Sequence, residues 1–181
     1  NGDPRHLDNT NPIPQLHYRE AEQLSRLGAK VIHAKTIAPL VLAGGIPLHI
    51  RNTRRPDLAG TIISNQVKTL PSFRAITLQT KLSLLEIRAK KHDDFAVLLA
   101  EVFRVLAVAG KEVLHYETDT TSARLQLLVE KTEAQLILEK LRKEFTRNGF
   151  TAVLQCFDDV SRISLLSKTP YIQLDTIREN R

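Results

Sequence analysis

The chain contains no methionine and no tryptophan, and a single cysteine, Cys156. One cysteine cannot close an intrachain disulfide or build a multi-cysteine zinc site, and it fits a reducing cytoplasm. Cys156 reads as a packed strand residue, since free cysteines behave as small hydrophobes. Aromatic residues make up only 5%. They do not interleave with the basic residues, so a stacking platform for single-stranded nucleic acid is unsupported. No apolar run approaches the roughly 18 residues of a membrane span. The start, residues 1–11, is polar and turn-rich, unlike a secretory signal. The missing initiator methionine reads as a piece of a longer polypeptide, or as a chain whose first residues are not included in this sequence. His6, His17, His33, His49, His92 and His115 do not cluster at metal-ligand spacing, so no metal site is expected. There is no Gly-x-Ser-x-Gly elbow and no evident base for the cysteine, which leaves covalent catalysis without support.

What is present is globular in composition: 181 residues, 42% apolar and 25% charged. The 26 lysines and arginines exceed the 20 acidic residues, for a net charge of +6. The basic residues are dispersed, with only short pairs such as Arg54-Arg55 and Lys90-Lys91. Neither nucleic acid nor membrane is therefore an expected partner.

Residues 1–17 hold Asp3-Pro4, Asn11-Pro12 and Ile13-Pro14, which read as an extended loop because proline restricts both itself and the residue before it. Tyr18 to Leu27 reads as a helix with Ala21, Leu24 and Leu27 on one stripe, stopped by Gly28. A second short helix is expected over Lys35 to Ala43, then strands over Ile46–Arg51 and Thr61–Ser64 joined by a turn at Arg54-Arg55-Pro56-Asp57. Residues 66–81 lack a clear period and read as a linker, with a possible short strand over Phe73–Leu78.

From Leu82 the pattern becomes regular. Ser83, Leu85, Ile87 and Ala89 share one strand face. Asp93 and Asp94 precede a helix whose Phe95, Leu98, Leu99, Val102, Phe103 and Leu106 recur at helical spacing, up to Gly110. Strands are expected over Val113–Asp119 and Ala123–Val129. Thr132 and Gln135 suggest a capping box opening a helix that ends at Asn148-Gly149, followed by strands over Thr151–Phe157 and Val160–Leu166. The order β-α-β-β-α-β predicts a ferredoxin-like fold, an antiparallel sheet with both helices on one face.

Four blocks carry a resemblance: Gly2-Asp3-Pro4-Arg5, then Gly28-Ala29-Lys30-Val31-Ile32-His33, then Ile46-Pro47-Leu48-His49-Ile50-Arg51-Asn52-Thr53, then Gly60-Thr61-Ile62-Ile63. In this order they resemble the last third of the catalytic domain of aspartokinases, which carry a (T/S)-x-DPR loop, a GAKV(L/I)HP segment, an IP(V/L)-x-(V/I)-RNT strand and a GT-x-I strand. The resemblance spans Gly2 to Asn65 and continues less specifically to about Phe157. Ala34 stands where the family usually has proline. The implied fold class is α/β and α+β: the end of an amino-acid-kinase α/β domain (1–65), a linker (66–81), a ferredoxin-like ACT regulatory domain (82–158), and the start of a second ACT unit or a tail (159–181).

The resemblance further implies that Asp3 and Arg5 lie against the adenosine end of ATP, and that Lys30 approaches its phosphates. Fixed positive charge there is what phosphoryl transfer requires. ATP and Mg2+ would serve the intact enzyme, which phosphorylates the side-chain carboxylate of L-aspartate. The family's Lys-x-Gly-Gly-Thr-Ser phosphate loop is absent, so no catalytic residue is assigned and the chain alone is expected to be inactive. The block Leu99-Ala100-Glu101-Val102-Phe103 is similar to ACT domains. By position, His92, Asp93, Asp94, Val113, Leu114, Thr118 and Asp119 are candidates for holding an amino-acid effector: lysine, threonine or methionine. A homodimer through the ACT domains is expected. The rival expectation is a non-catalytic amino-acid-binding ACT protein.

Overall fold

The computed structural model describes residues 11–29, 32–67, 73–90 and 94–167. The chain divides into two compact units, one of residues 1–79 with 162–181, the other of residues 80–161.

The first unit opens with β1 (Gln15–His17), α1 (Tyr18–Arg26), α2 (Ala34–Leu42), β2 (Leu48–Ile50) and β3 (Thr61–Ser64). The three strands form one sheet in the order β1-β3-β2, with β1 parallel and β2 antiparallel to β3. Leu16, Tyr18, Ala21, Leu24, Ile37 and Ile63 build its core, as the i, i+3 spacing on α1 requires. Buried polar groups need partners: the Tyr18 hydroxyl donates to the Ile46 carbonyl at 2.6 Å, and the Thr61 hydroxyl to the Ile13 carbonyl at 2.7 Å. Both helices start on histidine. His17 Nδ1 accepts from the Arg19 amide at 3.1 Å while Glu20 accepts from the His17 amide at 2.8 Å, and His33 Nδ1 accepts from the Lys35 amide at 3.2 Å. Each side chain satisfies an amide that the first helical turn leaves open. His33 is thus a structural cap.

Two long strands run through both units: β4 (Phe73–Ala89) and β7 (Ala152–Ser167). Each carries one non-glycine residue in the left-handed region, Lys81 at φ 62° and Asp159 at φ 58°. The linker expected over 66–81 is, from Phe73 on, strand. Its alternation is real, with Ala75 and Thr77 buried and Ile76 43% exposed, but a threonine at an inward position disguised it. Likewise Thr151–Phe157 and Val160–Leu166 are one strand, and Leu166 packs into the first unit's core.

The second unit places α3 (Phe95–Val108), β5 (His115–Asp119), β6 (Arg124–Glu130) and α4 (Lys131–Asn148) between those strands. Its sheet order is β5-β6-β4-β7. Numbered within the β-α-β-β-α-β unit this is 2-3-1-4, the ferredoxin-like order. Leu85, Ile87 and Ala89 of β4 and Leu125, Leu127 and Val129 of β6 share a core with Phe95, Leu98, Val102 and Leu106 of α3 and with Ala134, Ile137, Leu138, Leu141 and Phe145 of α4. Both helices therefore cover one sheet face. Phe103 instead stands at the surface, edge-on to Tyr116 at 5.2 Å. The Thr132–Gln135 capping box does not form. Glu130, still paired with Leu82 in the sheet, is itself the N-cap, and its side chain makes no capping bond. The strand runs straight into the helix and leaves no loop for a box. α4 ends on Gly149 at φ 70°.

Candidate functional site

Strand direction decides which candidate residues can meet. β6 is antiparallel to both β4 and β5. β4 and β5 thus run the same way, and α3 carries the chain back between them. Asp94, just after β4, belongs to the same end of the sheet as Asp119, whose partner Arg124 also pairs with Arg88 of β4. Val113 and Leu114 lie at the opposite end, where the Leu114 amide donates to the Leu128 carbonyl at 2.9 Å. At about 3.3 Å per residue, the five steps from Leu114 to Asp119 span roughly 16 Å. One small amino acid cannot touch both ends of this strand.

Taken singly, the candidates fill distinct roles. Asp94 occupies the N-cap position of α3 at φ −85° and ψ −1°, exposed, with no capping hydrogen bond from its side chain. Val113 is half-buried against the helix-side core. Thr118 is exposed and pairs with Leu125, on the helix side of the sheet. Asp119 closes the β5–β6 turn. Its carboxylate accepts from the Ser122 hydroxyl at 2.6 Å and from the amides of Thr121 at 2.9 Å and Ser122 at 3.3 Å, with Arg124 at 3.6 Å. Asp3, Arg5, Lys30, His92 and Asp93 lie outside the described residues. Among the described residues no group of three or more His, Cys, Asp or Glu could hold a metal ion, and no helix is long and apolar enough to cross a membrane.

The sheet face away from the helices holds a charge network that the sequence did not announce. Glu86, only 8% exposed, accepts from Arg88 at 3.1 Å and Gln126 at 3.0 Å, with Arg124 at 3.6 Å. A carboxylate this covered is tolerated because it is paired. Arg124 in turn reaches Asp119, so the network runs to the end of the sheet where Asp94 stands. The alternation of Glu86 with Arg88, and of Arg124 with Gln126, was visible in sequence. Their meeting required the register Glu86↔Gln126 and Arg88↔Arg124.

Hydrogen bonding holds three carboxyls below the usual range: Asp119 chiefly through the Ser122 hydroxyl, Asp158 through the Ser83 hydroxyl at 2.5 Å, and Glu101 through Arg104. The sign follows from linkage. A carboxyl whose folded value is lowered contributes stability fully present above its unfolded value of about 4, and lost as pH falls through the lowered one. The second unit should therefore weaken on acidification below about pH 4. Asp119→Asn should flatten that limb in urea titrations at stepped pH. An unchanged acid limb in Asp119→Asn would show that the turn carboxylate is not linked to folding.

No family model matches the chain. It is 30% identical over 166 residues to the bifunctional aspartokinase/homoserine dehydrogenase of Haemophilus influenzae, covering 91% of this chain and 20% of that protein. It is 31% identical over 125 residues to the lysine-sensitive aspartokinase 3 of Escherichia coli, covering 69% of this chain and 28% of that protein. The curated relatives and solved neighbours of this chain are aspartokinases. The chain spans well under a third of the length of these two aspartokinases. Solved aspartokinases share the fold. E. coli aspartokinase III in complex with aspartate and ADP, in the R-state, aligns with a TM-score of 0.76 at 24% identity, covering 92% of this chain and 37% of that one. The same aspartokinase with lysine and aspartate, in the T-state, gives 0.72.

Proposed function

We propose that this chain is the C-terminal regulatory portion of an aspartate kinase. It comprises the end of the amino-acid-kinase domain, here residues 1–65, and an ACT module built on residues 82–158. The intact enzyme transfers the γ-phosphoryl group of ATP, with Mg2+, to the side-chain carboxylate of L-aspartate in the cytoplasm. Asp3 and Arg5 border the adenosine and Lys30 the phosphates. The part present here reports amino-acid levels to the kinase. An effector can do this only by binding one state of the enzyme better than another. A homodimer through the ACT modules supplies the two-state element.

The observation that supports this reading most is the ferredoxin-like sheet of residues 80–161, backed by two helices, inside a chain 30% identical to an aspartokinase over 166 residues. An amino-acid effector is supported by the lysine complex of E. coli aspartokinase III. Of the described candidate effector residues, Asp94, Thr118 and Asp119 form the set that strand direction favours. Val113 and Leu114 would serve a second contact at the other end. Asp119 acts by shaping the turn, since its carboxylate is already engaged.

Lysine, threonine and methionine, tested separately by thermal shift on the purified chain, give the decisive measurement. At a hundredfold excess over its dissociation constant the true effector should raise the melting temperature by about 5–10 °C. No shift with any of the three overturns the sensing role. Coupled-assay ATP turnover with aspartate should stay at background, because one wall of the nucleotide site lies outside this chain. Turnover above background would refute the division of labour.

A further inference from the structure

α3 and α4 pack antiparallel on the sheet, and their outer faces meet in a groove of about 220 Å³ lined by Arg104, Val105, Val108, Ala109, Lys140, Lys143 and Glu144. Its lining combines the apolar Val105, Val108 and Ala109 with three cations and a single carboxylate. Val108 is 79% exposed, the most exposed large apolar side chain described in this unit. It sits in the last turn of α3, where a β-branched residue contributes little to helix formation and a cation would complement the helix dipole. Folding therefore gives no reason for a valine at this position.

The lining charges do not cancel. The Glu144 carboxylate is taken by Arg104 at 2.7 Å and Arg147 at 3.6 Å, and Glu101 by Arg104 at 2.7 Å and Asn148 at 2.9 Å. Lys140 and Lys143 form no ion pair with any described residue. Both ammonium groups are left over beside the exposed valine.

We propose that this α3–α4 groove docks an acidic, amphipathic helical segment of a partner protein. A third helix laid along two antiparallel ones buries its apolar stripe against Val108 and Ala109, as helix-in-groove recognition does, with anchors at i, i+3 and i+4. Its glutamates face Lys140 and Lys143, which also speeds the encounter at low salt. A basic segment is rejected by the same two lysines, so charge selects the partner class. The inference stands on the second unit's geometry and does not depend on the kinase reading.

The test uses the whole chain and a fluorescein-labelled helical peptide with leucine at every third and fourth position and glutamate elsewhere. A matched peptide carries lysine in place of glutamate. Fluorescence anisotropy should show saturable binding of the acidic peptide, weakening as salt rises, and none of the basic one. Lys140→Gln with Lys143→Gln should weaken binding about tenfold, and Val108→Ser by several-fold. These side chains bury little, so far-UV circular dichroism and melting temperature should not change. Equal affinity for both peptides, unchanged affinity in the variants, or no binding to the unaltered chain would each overturn the proposal.

Discussion

Leu127→Ala should destabilise the second unit by about 2–5 kcal/mol. Leu127 is fully buried on β6, an inner strand of the sheet, and faces the layer formed by α3 and α4. Truncation removes the transfer energy of the lost methyl groups and leaves a cavity, because packing to interior density prevents full collapse. A domain of ordinary stability has only about 5–15 kcal/mol to lose. In urea, the midpoint should fall while the slope stays constant. Leu128, the next residue, points to the other face and is half-buried. Leu128→Ala should cost less than half as much. Equal losses at the two positions would contradict a single helix layer on the Leu127 side.

Gly60→Ala should disrupt the first unit's small sheet. Gly60 has φ +73°, and a Cβ added there would stand 2.1 Å from the Ile50 carbonyl oxygen. The left-handed backbone alone costs roughly 1–2 kcal/mol for a residue with a side chain. The overlap is with backbone rather than a flexible side chain, so β2 must move away from β3 and the Ile50↔Thr61 pairing is strained. The total should exceed about 2 kcal/mol. Gly110 is the control: its φ is +61°, but a Cβ added there would meet nothing within 4 Å. Gly110→Ala should therefore carry only the backbone cost. Hydrogen exchange at the β2 and β3 amides would separate the two cases. Protection of those amides unchanged in Gly60→Ala would show that the strand pair tolerates the side chain.

The same glycine shows how far the sequence could be read. Gly60-Thr61-Ile62-Ile63 was recognisable as a family block, and its strand falls where expected, at Thr61–Ser64. The reason for the glycine was not legible, because the atom that excludes a side chain belongs to Ile50, ten residues earlier. Helices were read well where one apolar stripe faced one core, as in α3 and α4. Their ends were read less well. The Thr132–Gln135 box failed because Glu130 is held in the sheet by Leu82, a contact 48 residues away in sequence. The long strands β4 and β7 were broken into pieces because a left-handed residue and inward polar side chains interrupt their period-2 pattern.

For the candidate site, residue types were visible and proximity was not. Asp94 and Asp119 share an end of the sheet while Leu114 does not, since the α3 crossover makes β4 and β5 run in the same direction. The Glu86–Arg88–Arg124–Gln126 network exists only because antiparallel register sets those four side chains on one face.

By itself, the order and spacing of apolar residues determined the β-α-β-β-α-β unit and most of the side each helix buries, because these follow from local period, while four short motif blocks carried the resemblance to aspartokinases. Tertiary structure alone decided which charged groups meet, which end of the sheet each candidate residue occupies, and that α3 and α4 leave a cationic groove with an exposed valine. Those outcomes depend on strand direction and register, which bring together residues tens of positions apart, and no local pattern encodes that distance.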